Sequence, residues 1–331
     1  MPTNAQLVLA RRPHGMLADG DVELVEASAP SPGPGEYLVE VSHLSIDPTI
    51  RTWMDDAPGY LPAIEIDQVI RSGGIGTVVE SNDEAHPVGT KVFGMVGWQR
   101  YTLGDAGFSA IPDGVDPLLV INVLGITGMT AYFGIHDVLS VREGDVVVVS
   151  GAAGATGSVA GQLAKAAGAS KVIGIAGGPE KCRLLTEEIG YDAAIDYRAG
   201  DVSAQLAKLA PEGIDAYFDN VGGECLEAAL ANLKIGARIA LCGAISRYTA
   251  TELAGGPANY LMLIVKRATM QGFLVLDYAA RFGEAQGALL GMLLEGKLWH
   301  AEHVVEGLER APEALNLLFT GGNTGKVVVA L

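Results

Sequence analysis

Three groups of residues in this chain have types and spacings suited to chemistry. The first is Ser150-Gly-Ala-Ala-Gly-Ala-Thr-Gly157, a variant of GxGxxG in which Ala152 takes the first glycine position and Gly154 and Gly157 keep the others. Glycine there lets main-chain amides approach a pyrophosphate at a helix N-terminus, and the last glycine allows close helix–strand packing. The motif alone is weak. Placed after the apolar run Asp145–Ser150 and opening a helix, it predicts dinucleotide binding through Ala152, Ala153, Gly154, Ala155, Thr156 and Gly157, with a merely tight turn as the alternative. The second group decides which dinucleotide. The next strand ends Ile175-Ala-Gly-Gly178 with no carboxylate for the ribose hydroxyls, while Lys181 and Tyr197-Arg198 follow. Cations without an acid suit the extra phosphate of NADPH; a solvated lysine is the bland alternative. The third group is sulfur and imidazole. Cys182, Cys225 and Cys242 form no CxxC pair, and His300 and His303 have i, i+3 spacing but no third ligand, so reduced thiols and surface histidines are expected rather than a metal site.

These residues need a scaffold, and the chain changes texture to supply it. Up to about residue 115, short alternating runs such as Tyr37–Ser42, Gly74–Glu80 and Lys91–Val96 are punctuated by Gly and Pro, which predicts a small, mostly antiparallel β-domain. From about residue 145 the pattern becomes strand–helix repeats. Strands are expected at Asp145–Ser150, Lys171–Ala176, Ala193–Asp196, Ile214–Asp219 and Ala237–Cys242. Helices are expected at Ser158–Ala167, closed by Gly168, and at Pro179–Ile189, closed by Gly190. Repeated βα units imply a parallel, doubly wound sheet, so the fold class is α/β with a second, β-rich domain. Thr269–Leu276 and a helix from near Tyr278 are expected to complete the sheet. The tail predicts a helix at Pro312–Phe319 and a strand at Lys326–Ala330 that returns to the first domain.

Composition narrows the partners. The chain has 331 residues, enough for two domains, and a net charge of −17, which argues against nucleic acid or an anionic membrane surface. The uncharged stretch Pro117–Ile135 contains Pro117, Asn122 and three glycines and is expected to be buried helix and loop, not a membrane span. Arg11 and Arg12, followed by Pro13, His14 and Gly15, are not expected to form a secretory leader, and the sparse cysteines suit a cytoplasmic protein.

Taken together, the motifs resemble the medium-chain dehydrogenase/reductase superfamily, and within it the zinc-free prostaglandin reductase and alkenal double-bond reductase family, which includes curcumin reductases. The matching segments run end to end: Leu44–Arg51, Gly125–Gly134, Ala152–Gly157, Tyr217–Gly223, Cys242–Tyr248 and Gly321–Lys326. The resemblance implies a GroES-like domain over 1–120, completed by 298–331, and a Rossmann domain over 121–297. It also implies homodimers formed through the Rossmann domain. Lys181 and Tyr197 match the family's 2′-phosphate and adenosine contacts. Asn220 with Cys242, Gly243, Ala244, Ile245 and Ser246 matches the nicotinamide–ribose side, and Phe273, Leu274, Val275 and Asn323 complete the cofactor contacts. Gly178 departs from the family, which often carries Ser there, and this removes a hydroxyl beside the phosphate. Tyr60 and Tyr260 are expected in the wall of the substrate pocket, with packing in the core as the alternative.

Zinc-dependent members of the superfamily place their first cysteine where this chain has Ser45. Their Gly-His-Glu segment is missing from Gln68–Gly76, so no metal is expected. The implied activity is NADPH-dependent reduction of the C=C bond of an α,β-unsaturated aldehyde or ketone. Hydride goes to the β-carbon, and Tyr248, which matches the family's functional tyrosine, stabilises the enolate oxygen directly or through the ribose. Asp47 and Arg51 are expected to order a loop. A quinone reductase of the same superfamily and a non-catalytic NADPH-binding protein are the alternatives.

Overall fold

The computed structural model describes residues 2–57, 59–252 and 255–331. Its strands in chain order are β1 (Thr3–Leu9), β2 (Val22–Ser28), β3 (Tyr37–Ile46), β4 (Gly73–Ser81), β5 (Lys91–Met95), β6 (Tyr101–Gly104) and β7 (Ser109–Ala110). There follow β8 (Val146–Ser150), β9 (Lys171–Ala176), β10 (Ala193–Asp196), β11 (Ile214–Asp219), β12 (Leu233–Leu241), β13 (Thr269–Gly272), β14 (Glu302–Glu306) and β15 (Lys326–Ala330). They divide between two compact units, residues 1–121 with 302–331, and residues 122–301.

The first unit is built on a seven-stranded sheet of order β14-β15-β3-β4-β5-β7, with β6 also pairing β3 and β1-β2 forming a separate hairpin. The C-terminal strand β15 pairs antiparallel with β3, setting Val327 opposite Ile46 and Val329 opposite Leu44. Val327, Val329, Leu44, Ile46 and Trp98 all lie in one buried cluster. The last thirty residues therefore complete this core, and the returning strand expected from the sequence is present.

The second unit is a six-stranded sheet of order β10-β9-β8-β11-β12-β13. All five of its pairings are parallel. The interior strands read as continuous apolar runs because both faces are covered by helices: Val147, Val148 and Val149 are fully buried. The order reverses between β8 and β11, so the crevice at their carboxyl ends is the topological switch point, where open α/β sheets bind ligands.

Local departures from the sequence expectations have packing causes. The helix after β8 spans Ala155–Ala166, three residues earlier than expected, because Gly154 is extended and serves as its N-cap. Pro179–Leu184 is α-helical but continues as a wider turn over Leu185–Ile189, and left-handed Gly190 ends it. The strand expected through Leu276 stops at Gly272. Val275 instead turns into a buried cluster with Met129, Phe133 and Ala285, and a 3₁₀ segment replaces the start of the expected helix. The regular helix begins at Phe282, while Tyr278 stacks on Phe133 at 4.4 Å between ring centres. Pro117–Ile135 is two short helices, Pro117–Ile121 and Ile126–Phe133. Among the described residues no helix is long and apolar enough to cross a membrane.

Candidate active site

The glycine loop sits at the end of β8, on the switch-point crevice. Gly157 lies on the backbone of the loop: a Cβ there would stand 2.3 Å from the Gly151 carbonyl oxygen and 2.8 Å from the Ala152 Cα. Only a residue without a side chain permits that approach. Ala152 and Ala153 are buried, and the Ala152 amide donates to the Ile175 carbonyl at 3.1 Å, tying the loop to β9. The helix that begins at Ala155 has no side-chain cap. Its first-turn amides, at Ala155, Thr156 and Gly157, thus present the positive end of the helix to the crevice, and this fits a pyrophosphate.

The residues expected on the adenosine side lie beyond β9 and β10. The Tyr197 ring packs on the Gly177 backbone, where a Cβ would meet it at 2.8 Å, and the Arg198 guanidinium lies over that ring at 5.6 Å. Lys181 is half-buried, and burial first, then the charge of Arg198, lowers its pKa from the usual lysine range. An added anion, as the phosphate of NADPH would be, favours the charged form of such a lysine. One acid that sequence reading overlooked is also here. Asp196, the last residue of β10, accepts the amides of Gly178 (2.8 Å) and Arg198 (2.9 Å) through Oδ1. It shapes the turn around Gly178, whose φ of +92° favours glycine.

The residues expected on the nicotinamide side stand at the ends of β11 and β12. Asn220 donates through Nδ2 to the Ser150 carbonyl at 2.7 Å, and its amide donates to Ser150 Oγ at 2.9 Å. The amides of Cys242 and Gly243 donate to the Asp219 carbonyl at 2.9 and 3.0 Å. Those of Ile245 and Ser246 donate to the carbonyls of Asn220 and Val221, both at 3.2 Å. The 242–246 segment is thus laid along the 219–221 turn. Tyr248 follows, and its hydroxyl oxygen accepts the Ala244 amide at 3.1 Å. Phe273 makes an edge contact with Phe218 at 6.2 Å, Leu274 is half-buried, and Val275 spends its side chain in the core.

Sequence reading also missed the group beneath this assembly. Asp219 is fully buried, and its Oδ1 accepts Ser150 Oγ (2.9 Å), the Tyr217 hydroxyl (2.9 Å), and the amides of Val221 (3.0 Å) and Gly222 (2.9 Å). Oδ2 is buried with no partner. Burial raises the Asp219 pKa, and the four hydrogen bonds oppose that rise. The only sequence signal was its place in the Tyr217–Gly223 motif.

The remaining expected site residues belong to other segments of the chain. Asn323 belongs to the first unit, where it is buried and donates to the Gly325 carbonyl at 3.0 Å, bracing its own loop. Tyr60, also in the first unit, is exposed and meets Trp53 edge-on at 6.2 Å. Tyr260 lies in the second unit on an exposed turn. Ser45 donates to Asp47 Oδ2 at 2.6 Å, and the buried Lys326 ammonium donates to Asp47 Oδ1 at 2.5 Å and to the Ile46 carbonyl at 2.9 Å. Asp47 therefore bridges the end of β3 to β15. Arg51 is buried and donates to the carbonyls of Gly15 and Pro13 and to Asp55, so it orders the loops around it. Among the described residues no three His, Cys, Asp or Glu side chains are grouped to hold a metal ion.

Residues 5–110 match a family model described as an N-terminal domain of oxidoreductase, and residues 155–289 match one described as a zinc-binding dehydrogenase. An NADPH-dependent curcumin reductase of Escherichia coli (strain K12) is 40% identical, over 98% of this chain and 96% of its own. The chain belongs to the medium-chain dehydrogenase/reductase superfamily, in its alkenal double-bond reductase family. A 2-alkenal reductase (NADP(+)-dependent) of Nicotiana tabacum is 39% identical over 99% of this chain and 97% of its own. The solved structure of CurA from Vibrio vulnificus in complex with NADPH superposes with a TM-score of 0.94, at 41% identity and 98% coverage of both chains. Family membership accounts for the two-sheet architecture. The zinc in the second model's description has no ligand set among the described residues, and Ser45 is committed to Asp47.

Proposed function

We propose that this chain reduces the C=C bond of α,β-unsaturated aldehydes and ketones with NADPH. The observation that carries the cofactor is the crevice itself: an uncapped helix N-terminus packed through Gly157, with the half-buried Lys181 and the Tyr197-Arg198 pair beyond it. The substrate class is supported by end-to-end similarity to reductases named for curcumin and 2-alkenals. Amides of the Ala155–Gly157 turn would hold the pyrophosphate, Lys181 and Tyr197 the phosphorylated adenosine, and the Asn220 and Cys242–Ser246 segments the nicotinamide–ribose side. Phe273, Leu274, Val275 and Asn323 complete the proposed contacts, and Tyr60 and Tyr260 the proposed pocket wall.

When bound, NADPH supplies the hydride that adds to the β-carbon. Negative charge then develops on the carbonyl oxygen, and the Tyr248 hydroxyl is the donor proposed to stabilise it, directly or through the ribose. Tyr248 Oη already accepts the Ala244 amide, which polarises the phenol and strengthens its O–H as a donor. The α-carbon takes its proton from solvent.

A homodimer formed through the second unit and a cytoplasmic setting belong to the same proposal. Strand β13 is an open sheet edge, and Ile264 and Val265, on the short helix before it, are exposed. An uncovered edge beside apolar side chains is what a second copy would bury. Sedimentation at twice 34.3 kDa is the expected result.

The functional test is turnover by the purified protein with NADPH and a panel of linear enals, aryl enones, quinones and saturated ketones, with products identified. Saturated carbonyl products from the enals or enones are expected. Faster turnover of simple quinones than of every enone would replace the proposal with a quinone reductase, and no turnover of any substrate would point to a non-catalytic binding protein.

A further inference from the structure

Asp219 joins the two strands flanking the switch-point crevice through its side chain, and the loop carrying Tyr248 through its main-chain carbonyl. Ser150 ends β8 and Asp219 ends β11, and their side chains bond directly across the crevice at 2.9 Å. The same carboxylate oxygen takes the amides of Val221 and Gly222 and so folds the turn after β11. Its main-chain carbonyl takes the amides of Cys242 and Gly243, the first residues after β12. The ends of three neighbouring strands are therefore referenced to a single residue.

Oδ2 of the same carboxylate is buried without a partner, so the group is held at a cost in desolvation. The same carboxylate satisfies four donors that an apolar side chain would leave without an acceptor. What a carboxylate adds is charge-assisted hydrogen bonds, roughly twice as strong as neutral ones, all drawn to one oxygen. Four donors converging on one point fix the geometry of the turn and of the segment laid along it.

We infer that Asp219 is a positioning residue for hydride transfer: it sets where the Asn220 turn and the Cys242–Tyr248 loop stand relative to the glycine loop. This rests on the proposed reductase activity for its catalytic consequence. It concerns the nicotinamide end of the crevice only. The pyrophosphate and adenosine contacts belong to the Ala155 helix and to Lys181, which Asp219 does not touch.

The experiment compares the full-length parent with Asp219→Asn, which keeps the shape and one acceptor oxygen but removes the charge. Ser150→Ala, which cuts the bridge across the crevice from the other side, is the second variant. The measurements are kcat and KM for NADPH with an enone, the isotope effect with 4-deuterated NADPH, NADPH affinity, and the emission of the bound nicotinamide. Displacement of the reacting geometry by a fraction of an ångström to 1 Å lowers kcat by about 10- to 100-fold. The inference expects that loss in both variants, an altered isotope effect, and NADPH affinity within about threefold of the parent.

A residue that only holds the fold would lower the melting temperature while leaving kcat per folded molecule within about twofold, and that result overturns the inference. So would a loss of NADPH affinity that matches the loss of kcat/KM. If Asp219→Asn fails to fold, Ser150→Ala decides by the same criteria. A parent that binds NADPH but reduces no enone would overturn the reductase proposal. The nicotinamide emission then decides the positioning role by itself: spectra identical in the parent and the folded variants would reject it.

Discussion

A Cβ on Gly157 would stand 2.3 Å from the carbonyl oxygen of Gly151, closer than real Cβ contacts come. The first turn of the helix rests directly on the glycine loop. Gly157→Ala must therefore push the first helical turn away from the loop. The expected cost is about 1–3 kcal/mol of stability from overpacking. NADPH binding weakens by at least about tenfold as the amides lose their common focus. Fluorescence titration and thermal melts measure the two effects separately. Unchanged NADPH affinity would mean that the loop does not hold the pyrophosphate.

Lys181 carries a prediction with a pH sign. Its pKa is lowered by burial and by Arg198, so the cation is lost at a lower pH than for an ordinary lysine. The 2′-phosphate is attracted only while Lys181 is charged. Preference for NADPH over NADH is expected to fall as pH rises through that lowered pKa. Lys181→Ala removes a charged hydrogen-bond donor worth about 1.5–3 kcal/mol, which is roughly a 10- to 100-fold loss of preference. Ratios of kcat/KM for the two cofactors across pH check both statements. A ratio independent of pH and of the substitution would place the phosphate elsewhere.

Tyr248→Phe removes the hydroxyl but keeps the ring. Loss of one donor to a developing oxyanion lowers kcat by about 10²–10³-fold. The Ala244 amide also loses its acceptor, so the melting temperature is followed in parallel. Turnover equal to the parent would remove the tyrosine from the chemistry.

An enzyme that handles electrophilic enones gains from thiols that stay protonated. Burial, then the charge of Asp219, pushes both Cys225 and Cys242 up to about 12. At pH 8 a thiol of that pKa is ionised to roughly one part in 10⁴, against about a quarter for an unperturbed cysteine. Iodoacetamide at pH 8 is therefore expected to leave Cys225 and Cys242 unmodified in the native protein and to modify all three cysteines after denaturation. Peptide mass spectrometry reads the outcome. Rapid native alkylation of Cys242 would show that its thiol is not held protonated.

How much of this was legible in the residues differs from element to element. The strands of the second unit were readable because both of their faces are buried, which leaves unbroken runs such as Val146–Val149. The end of β13 was not, because Val275 is drawn into a cluster with Phe133 and Ala285, partners more than one hundred and about ten residues away along the chain. The cations of the adenosine side were visible as residue types. Asp196 was overlooked because it reaches Gly178 from a neighbouring strand.

The sequence by itself determined the glycine loop, the absence of a carboxylate at the end of β9 and the serine in place of a cysteine at position 45. Each is a property of consecutive residues whose chemistry is local. Tertiary structure alone decided that Gly157 rests on Gly151, that the Arg198 guanidinium lies over the Tyr197 ring, and that Asp219 ties Ser150 to the segment leading to Tyr248. Parallel strands meet only after long crossovers, so the 69 residues separating Ser150 from Asp219 carry no pattern that records their contact.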